Sequence, residues 1–348
     1  MYWSRGADRQ SGNYYLTEFE KTFVRELKLQ KPDDCILVNS TWFSKPENVA
    51  DLKQWFGASQ FKAGEKPRIL LYSGMDWENS TCTESTREAH KFLNDNYEVI
   101  NIGNTGTGHY FSFWISFIHR HMDTFFDECY TELPNLKKHF MCLNHQPHWH
   151  RRYFLNYLWE TGRFQDGIIS AVKPHEEYTF NTPLILKENR PPHIMENFAE
   201  WEILSENHLA NDIISLGDPT YWNSHFCTVI TESCMHSDVF LSEKTFKPII
   251  GLRPFIIIGD AGVYRKLKEM GFDVFEDLFP RAHLEGGNQT TRINNAGWAL
   301  TDFIRAHGSA NSLTTLYNSL ESRLMHNRKR MLEVINENYN WIMEINKL

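Results

Sequence analysis

A chain of 348 residues is longer than one hydrophobic core ordinarily serves, so two domains are expected. Hydrophobic residues at 41% and aromatics at 14% are enough for ordinary globular cores. A formal net charge of −8 excludes a molecule that gathers nucleic acid through its overall field, although a local basic patch is compatible with it.

The first residues, MYWSRGADRQSGNYY, lack the apolar core of a signal peptide, so none is expected. DCILVNS (34–40) reads as a strand, and PENVADLKQWF (46–56) as a helix with Pro46 in its first turn. RILLYSG (68–74) is a second strand, TREAHKFL (86–93) a helix and YEVINIG (97–103) a third strand. HYFSFWISFIHRHMDTFF (109–126) reads as one largely buried helix. Its apolar run is too short to span a bilayer, and no membrane contact is expected. This alternation predicts a mostly parallel sheet covered on both faces.

A second series starts at HFMCLNH (139–145), followed by the helix RRYFLNYLWETG (151–162) and the strand DGIISAV (166–172). A lone helical pattern, HIMENFAEWEIL (193–204), sits in an irregular stretch. CTVITES (227–233), EKTFKPIIG (243–251), PFIIIGD (254–260) and GVYRKLKEMG (262–271) then read as strand, helix, strand, helix. Leu313, Leu316, Leu320, Leu324, Met331, Ile335 and Ile342 fall near helical spacing, which predicts long C-terminal helices. The expected organisation is α/β with two Rossmann-like domains. These are an acceptor-side domain (1–135), a donor domain (136–310) and C-terminal helices (311–348). Ligands of such halves bind in a crevice at the carboxyl ends of the strands.

The charges ahead of the apolar strand at 255 focus the reading. Ser242 is a natural N-cap, and Glu243 and Lys247, four apart, share a helix face. A helix N-terminus beside an ammonium suits phosphate oxygens, and a carboxylate suits the two hydroxyls of a ribose. The same spacing also fits a capped helix carrying an ordinary ion pair.

TES (231–233), a spacer, and FLSEKTFKPIIGLRPFIIIGD (240–260) resemble the donor-site pattern of fucosyltransferase-like and related glycosyltransferases of the GT-B fold. The matching residues are Glu232, Phe240, Ser242, Glu243, Lys244, Gly251, Pro254 and Gly259. GVYRKLKEMGFDVF (262–275) looks like a segment common in glycosyltransferases of phages and large viruses. FMCLNHQPHWHRRYFLNYLWETGRFQDGIIS (140–170) resembles another segment of that group through Leu143, Asn144, Pro147, His150 and Arg151. His145 and His148 stand where the pattern has arginine. The resemblance covers about 139–275. It implies a nucleotide-sugar donor held by Asn144, Arg151, Glu232, Ser242, Glu243, Lys244 and Lys247, with Glu243 on the ribose and Lys244, Lys247 and Arg151 on the diphosphate.

No Asp-x-Asp occurs in the chain, so catalysis without a divalent metal is expected. His119, His121, His145, His148 and His150 invite a zinc reading, but no Cys pair accompanies them. Six cysteines without a CxxC pair suggest reduced thiols in a cytoplasmic compartment, with the sequons at Asn39, Asn79 and Asn288 as chance matches. The acceptor's base is expected after the first-half strands: Asp76 or Glu78 in SGMDWENSTC (73–82), or His109 in GNTGTGHY (103–110). The viral likeness implies two acceptor classes, a 5-hydroxymethylated pyrimidine in phage DNA or a glycan or lipid-linked sugar. Trp77, Trp114 and Trp149 are candidates to stack on a flipped base or a sugar. A rival from another class is a non-catalytic nucleic-acid-binding protein on the same fold.

Overall fold

The computed structural model describes residues 2–3, 35–39, 46–58, 68–72, 84–102, 113–130, 134–144, 148–170, 215–233, 235 and 239–345. The chain divides into two compact units. Unit 1 comprises Met1–Ser116, His236–Phe240 and Ile335–Leu348; unit 2 comprises Phe117–Met235 and Leu241–Val334. The first division falls at 116/117, and the helical residues 311–334 count with unit 2.

Unit 1 carries a four-stranded parallel sheet in the order β1 (Tyr2–Trp3), β2 (Cys35–Asn39), β3 (Arg68–Tyr72), β4 (Glu98–Ile102). Its register sets Leu37 beside Leu70 and Leu70 beside Ile100. Helices α1 (Pro46–Ala58) and α2 (Glu84–Asn96) lie between β2 and β3 and between β3 and β4. They bury Val49, Leu52, Ala89 and Leu93, and Ile69 is buried with them. Trp114 is also in the core at 3% exposure, so it presents no stacking face.

The single helix expected over 109–126 is two where it is described: α3 (Phe113–Arg120) and α4 (Met122–Phe125). The break is at His121, at φ −109 and ψ 30. Its carbonyl accepts from the Thr124 and Phe125 amides and from the Thr124 hydroxyl. That local bonding competes with a continuous ladder.

Unit 2 holds a second parallel sheet, built from β5 (Lys138–Leu143), β6 (Gly167–Ser170), β7 (His225–Thr231) and β8 (Phe255–Ile258) in the order β6-β5-β7-β8. Every residue of β7 and β8 is buried, as strands covered on both faces require. Helix α5 (Trp149–Glu160) leads from β5 out to β6. The chain then returns past β5, through the short α6 (Pro219–Trp222), to build β7 on the other side. Helix α7 (Glu243–Ile250) leads on to β8, and α8 (Val263–Glu269) follows. The order therefore reverses between β5 and β7, and their carboxyl ends form the topological switch point of this sheet. At the outer strand the Tyr264 hydroxyl accepts from the Ile257 amide at 2.7 Å and faces the Ile257 carbonyl at 3.5 Å.

Among the described residues the remaining α-helices are α9 (Gln289–Ala306), α10 (Ala310–Ser319) and α11 (Glu321–Ile345). Sequence reading did not anticipate α9. Asn288 caps it by accepting from Thr291 N–H at 2.9 Å. Ile293, Ala296, Leu300, Phe303 and Ile304 form its buried face, with Phe303 stacked on Phe226 at 4.9 Å. The loop after α8 is pinned to α11: Asn327 exchanges hydrogen bonds with the Asp273 backbone, and Arg323 forks to Asp273 and Asp277.

The end of α7 departs from the usual glycine stop. The Arg253 amide reaches the Pro248 carbonyl at 2.9 Å, closing a Schellman turn, yet the left-handed residue is Leu252 at φ 57. Gly251, one place earlier, serves a close approach instead. A Cβ there would lie 2.2 Å from the Trp222 ring, whose Nε1–H donates to the Gly251 carbonyl at 2.8 Å. Gly251→Ala is expected to destabilise the fold by about 1–3 kcal/mol through overpacking. Urea unfolding should show a lower midpoint with an unchanged slope. An unchanged midpoint would mean that the ring moves aside freely.

Candidate functional site

The polar residues of unit 2 converge where β5, β7 and α7 meet at the switch point. Asn144 follows β5 and is 2% exposed; its Oδ1 accepts the Thr231 hydroxyl at 2.6 Å. Beyond Thr231 the ladder of β7 runs out, and the first turn of α5 takes over its carbonyls. Arg151 Nη2 donates to the Thr231 carbonyl at 3.1 Å, and His150 Nε2–H donates to the Glu232 carbonyl at 2.6 Å. Both side chains are buried. The Glu232 amide still pairs with the Ile258 carbonyl, so this residue stays anchored to β8.

The Glu232 carboxylate is fully buried and turns onto the start of α7. Oε1 accepts from the Ser242 amide at 3.0 Å and the Thr245 hydroxyl at 2.6 Å; Oε2 accepts from the Ser242 hydroxyl at 2.6 Å. Ser242 Oγ in turn accepts the Lys244 amide, which is the N-cap expected from the sequence. Burial raises the Glu232 pKa, opposed by the Lys244 charge and by the Ser242 and Thr245 hydroxyls. Thr245 did not stand out in the sequence. Its signal was a second hydroxyl three residues after the cap.

Within this turn the amides of Ser242, Lys244 and Thr245 bond to Glu232 Oε1, Ser242 Oγ and the Ser242 carbonyl. Most of the anion-binding capacity of the helix end is therefore met by the chain's own groups. Lys244 also folds back, with Nζ 3.0 Å from Glu243 Oε1 and 3.4 Å from Ser242 Oγ. Glu243 is 6% exposed, and its Oε2 is buried without a hydrogen-bond partner. An unmatched buried carboxylate oxygen is costly, so this atom asks for a donor. Lys247 lies one turn further along α7 and is half-buried.

The structure thus gathers Asn144, Arg151, Glu232, Ser242, Glu243 and Lys244 at one end of one sheet. Asp76, Glu78 and His109 lie outside the described residues, as do Trp77, His145 and the helical pattern at 193–204. Trp149 meets His150 and Tyr153 edge to face. His148 stacks on His150 at 5.6 Å, and among the described residues no group of three or more His, Cys, Asp or Glu could hold a metal ion. Burial pushes the nearby Cys142 thiol up to about 12, so it stays protonated and is no nucleophile at neutral pH. Among the described residues no helix is long and apolar enough to cross a membrane.

A cleft of about 430 Å³ lies elsewhere in unit 2, lined by Lys268, Phe272, Asp273, Arg323 and His326 among others. Its charges are engaged locally: Arg323 with Asp273 and Asp277, Lys268 with Glu276, and His326 with the Gly271 carbonyl. The chemistry gathers at the switch point, where donors and acceptors converge, and not in this shallow cleft.

Fold and site together describe an α/β protein whose second sheet ends in a buried polar cluster at its switch point. No family model, no curated protein and no solved structure matches the chain.

Proposed function

We propose that the chain is a glycosyltransferase of GT-B type, moving a sugar from a nucleotide donor to a hydroxyl, with a 5-hydroxymethylated pyrimidine in DNA as acceptor. The observation that carries this reading is the buried, unmatched Glu243 Oε2 at the start of α7, beside a switch point where such sheets take their ligands. A ribose hydroxyl would supply the missing donor. In the transfer, the acceptor oxygen bonds to the anomeric carbon while that carbon's bond to the diphosphate breaks. The nucleoside diphosphate leaves with the electron pair, and the hydroxyl proton passes to a base, for which Asp76, Glu78 and His109 are the candidates. Lys247 and Arg151 would face the diphosphate. With no Asp-x-Asp in the sequence, these cations take the place of a divalent ion in meeting the leaving charge.

The test is incubation with a panel of nucleotide sugars and hydroxymethylated DNA, without added metal, following base mass gain and released nucleotide. Turnover with one donor is expected. Glu243→Gln and Lys247→Ala should each weaken nucleoside diphosphate binding about tenfold or more, as loss of a charge-assisted bond does. DNA retention with no turnover on any donor would favour a non-catalytic nucleic-acid-binding protein. A hydroxyl-bearing glycan accepted in place of DNA would keep the enzyme and replace its acceptor.

A further inference from the structure

We infer that Glu232 is a positioning residue: its carboxylate clamps the first turn of α7 and so fixes Glu243, whose Oε2 is left for a ligand donor. This rests on the donor-site reading above. A carboxylate that met the ligand would keep an oxygen free of protein donors, as Glu243 Oε2 does. Both Glu232 oxygens are instead taken by three donors of the same turn, at 3.0, 2.6 and 2.6 Å. Two of these donors, the Ser242 amide and hydroxyl, sit next to Glu243 in the chain. The third, Thr245, is fully buried and has no face for a ligand.

The Glu232 backbone is held from two further sides, by His150 through its carbonyl and by β8 through its amide. A single residue therefore ties the sheet edge, the first turn of α5 and the first turn of α7 together. Its negative charge at a helix N-terminus is favourable. The ligand would then meet α7 through the Glu243 carboxylate, and its phosphates would be met by side-chain cations.

The experiment compares wild type, Glu232→Gln and Thr245→Val in two measurements. The first is amide exchange at Ser242 and Lys244 without nucleotide. The second is affinity for the nucleoside diphosphate that wild type binds from a panel of the common four. Thr245→Val matters because it loosens the clamp while leaving the Glu232 carboxylate in place. Positioning predicts exchange about tenfold faster, and affinity about tenfold weaker, in both variants. If Thr245→Val keeps full affinity while Glu232→Gln loses it, Glu232 touches the ligand directly and the inference is overturned. Faster exchange with unchanged affinity in both variants also overturns it. Wild-type protein that binds none of the diphosphates sinks the donor reading itself, and that result is told apart by the wild-type arm alone.

Discussion

Replacing Arg253 with methionine is expected to lower folding stability by roughly 3–5 kcal/mol. Arg253 is 1% exposed, and its guanidinium donates to the carbonyls of Trp222, Gly251 and Leu252, to the Tyr317 hydroxyl and to Asn223 Oδ1. These carbonyls belong to the ends of α6 and α7, where helix dipoles present negative charge. The cation is thus neutralised by backbone, with the Tyr317 ring 5.2 Å from its centre. Methionine would fill the volume and avoid a buried charge, which in an ordinary ion pair can compensate. Here it would leave the Trp222 carbonyl without the two bonds it receives from Nε and Nη2. Lysine should restore only part of the loss, because one ammonium cannot reproduce the planar fork. Denaturant unfolding measures this. A loss under 1 kcal/mol for methionine would show that the carbonyls find other partners.

Acidification should destabilise unit 2 well above the ordinary carboxylate range, and His225 is the main cause. His225 is completely buried. Nδ1–H donates to the Tyr221 carbonyl at 2.9 Å, so Nε2 accepts the Thr228 hydroxyl at 3.1 Å and the ring is neutral. Burial, and after it the nearby Arg253 charge, lower its pKa from 6.5 to about 3. Burial similarly lowers His283, bonded to the Val274 carbonyl, to about 4. Both folded values lie below the unfolded one, so unfolding takes up protons below about pH 6.5. The contribution is complete above that pH and fades as pH falls toward about 4 for His283 and about 3 for His225. For His225 it is on the order of several kcal/mol; for His283 it is less, since solvent screens a partly exposed ring. Glu232, raised by burial, slopes the other way: its share is present below the ordinary carboxylate value and fades as pH rises past it. The decisive comparison is therefore with His225→Asn, which keeps a donor for Tyr221 and does not titrate. Its stability should fall less steeply than wild type between pH 6.5 and 4. Parallel curves would show that His225 carries no linkage.

What the sequence disclosed follows from how local each feature is. The strands at 35–39, 68–72, 225–231 and 255–258 were legible because contiguous β-branched and apolar runs leave few alternatives. Ser242 was legible as a cap because capping is decided within three residues. Helix α9 was missed because Asn295 and Gly297 interrupt its buried stripe, and Gly297 is there for the approach of the Tyr157 ring. The role of Glu232 was hidden because its partners lie ten and thirteen residues ahead, on a return that only the folded chain makes. Arg253 did not stand out in the sequence, where it falls between a helix and a strand; two helix ends meeting around it make it the centre of a buried network. The base candidates Asp76, Glu78 and His109 rest on placement after strands alone.

The Tyr264 hydroxyl at Ile257 has a consequence for how this molecule behaves in company. An outermost strand is a template onto which a neighbouring chain can add its own, the first step of uncontrolled polymerisation. On β8, the outermost of the described strands of its sheet, that position at Ile257 is already filled by a phenol from the following helix, whose hydroxyl accepts from the Ile257 amide and faces its carbonyl. The protein thus carries its own stopper, and crowding in solution finds one fewer place to begin.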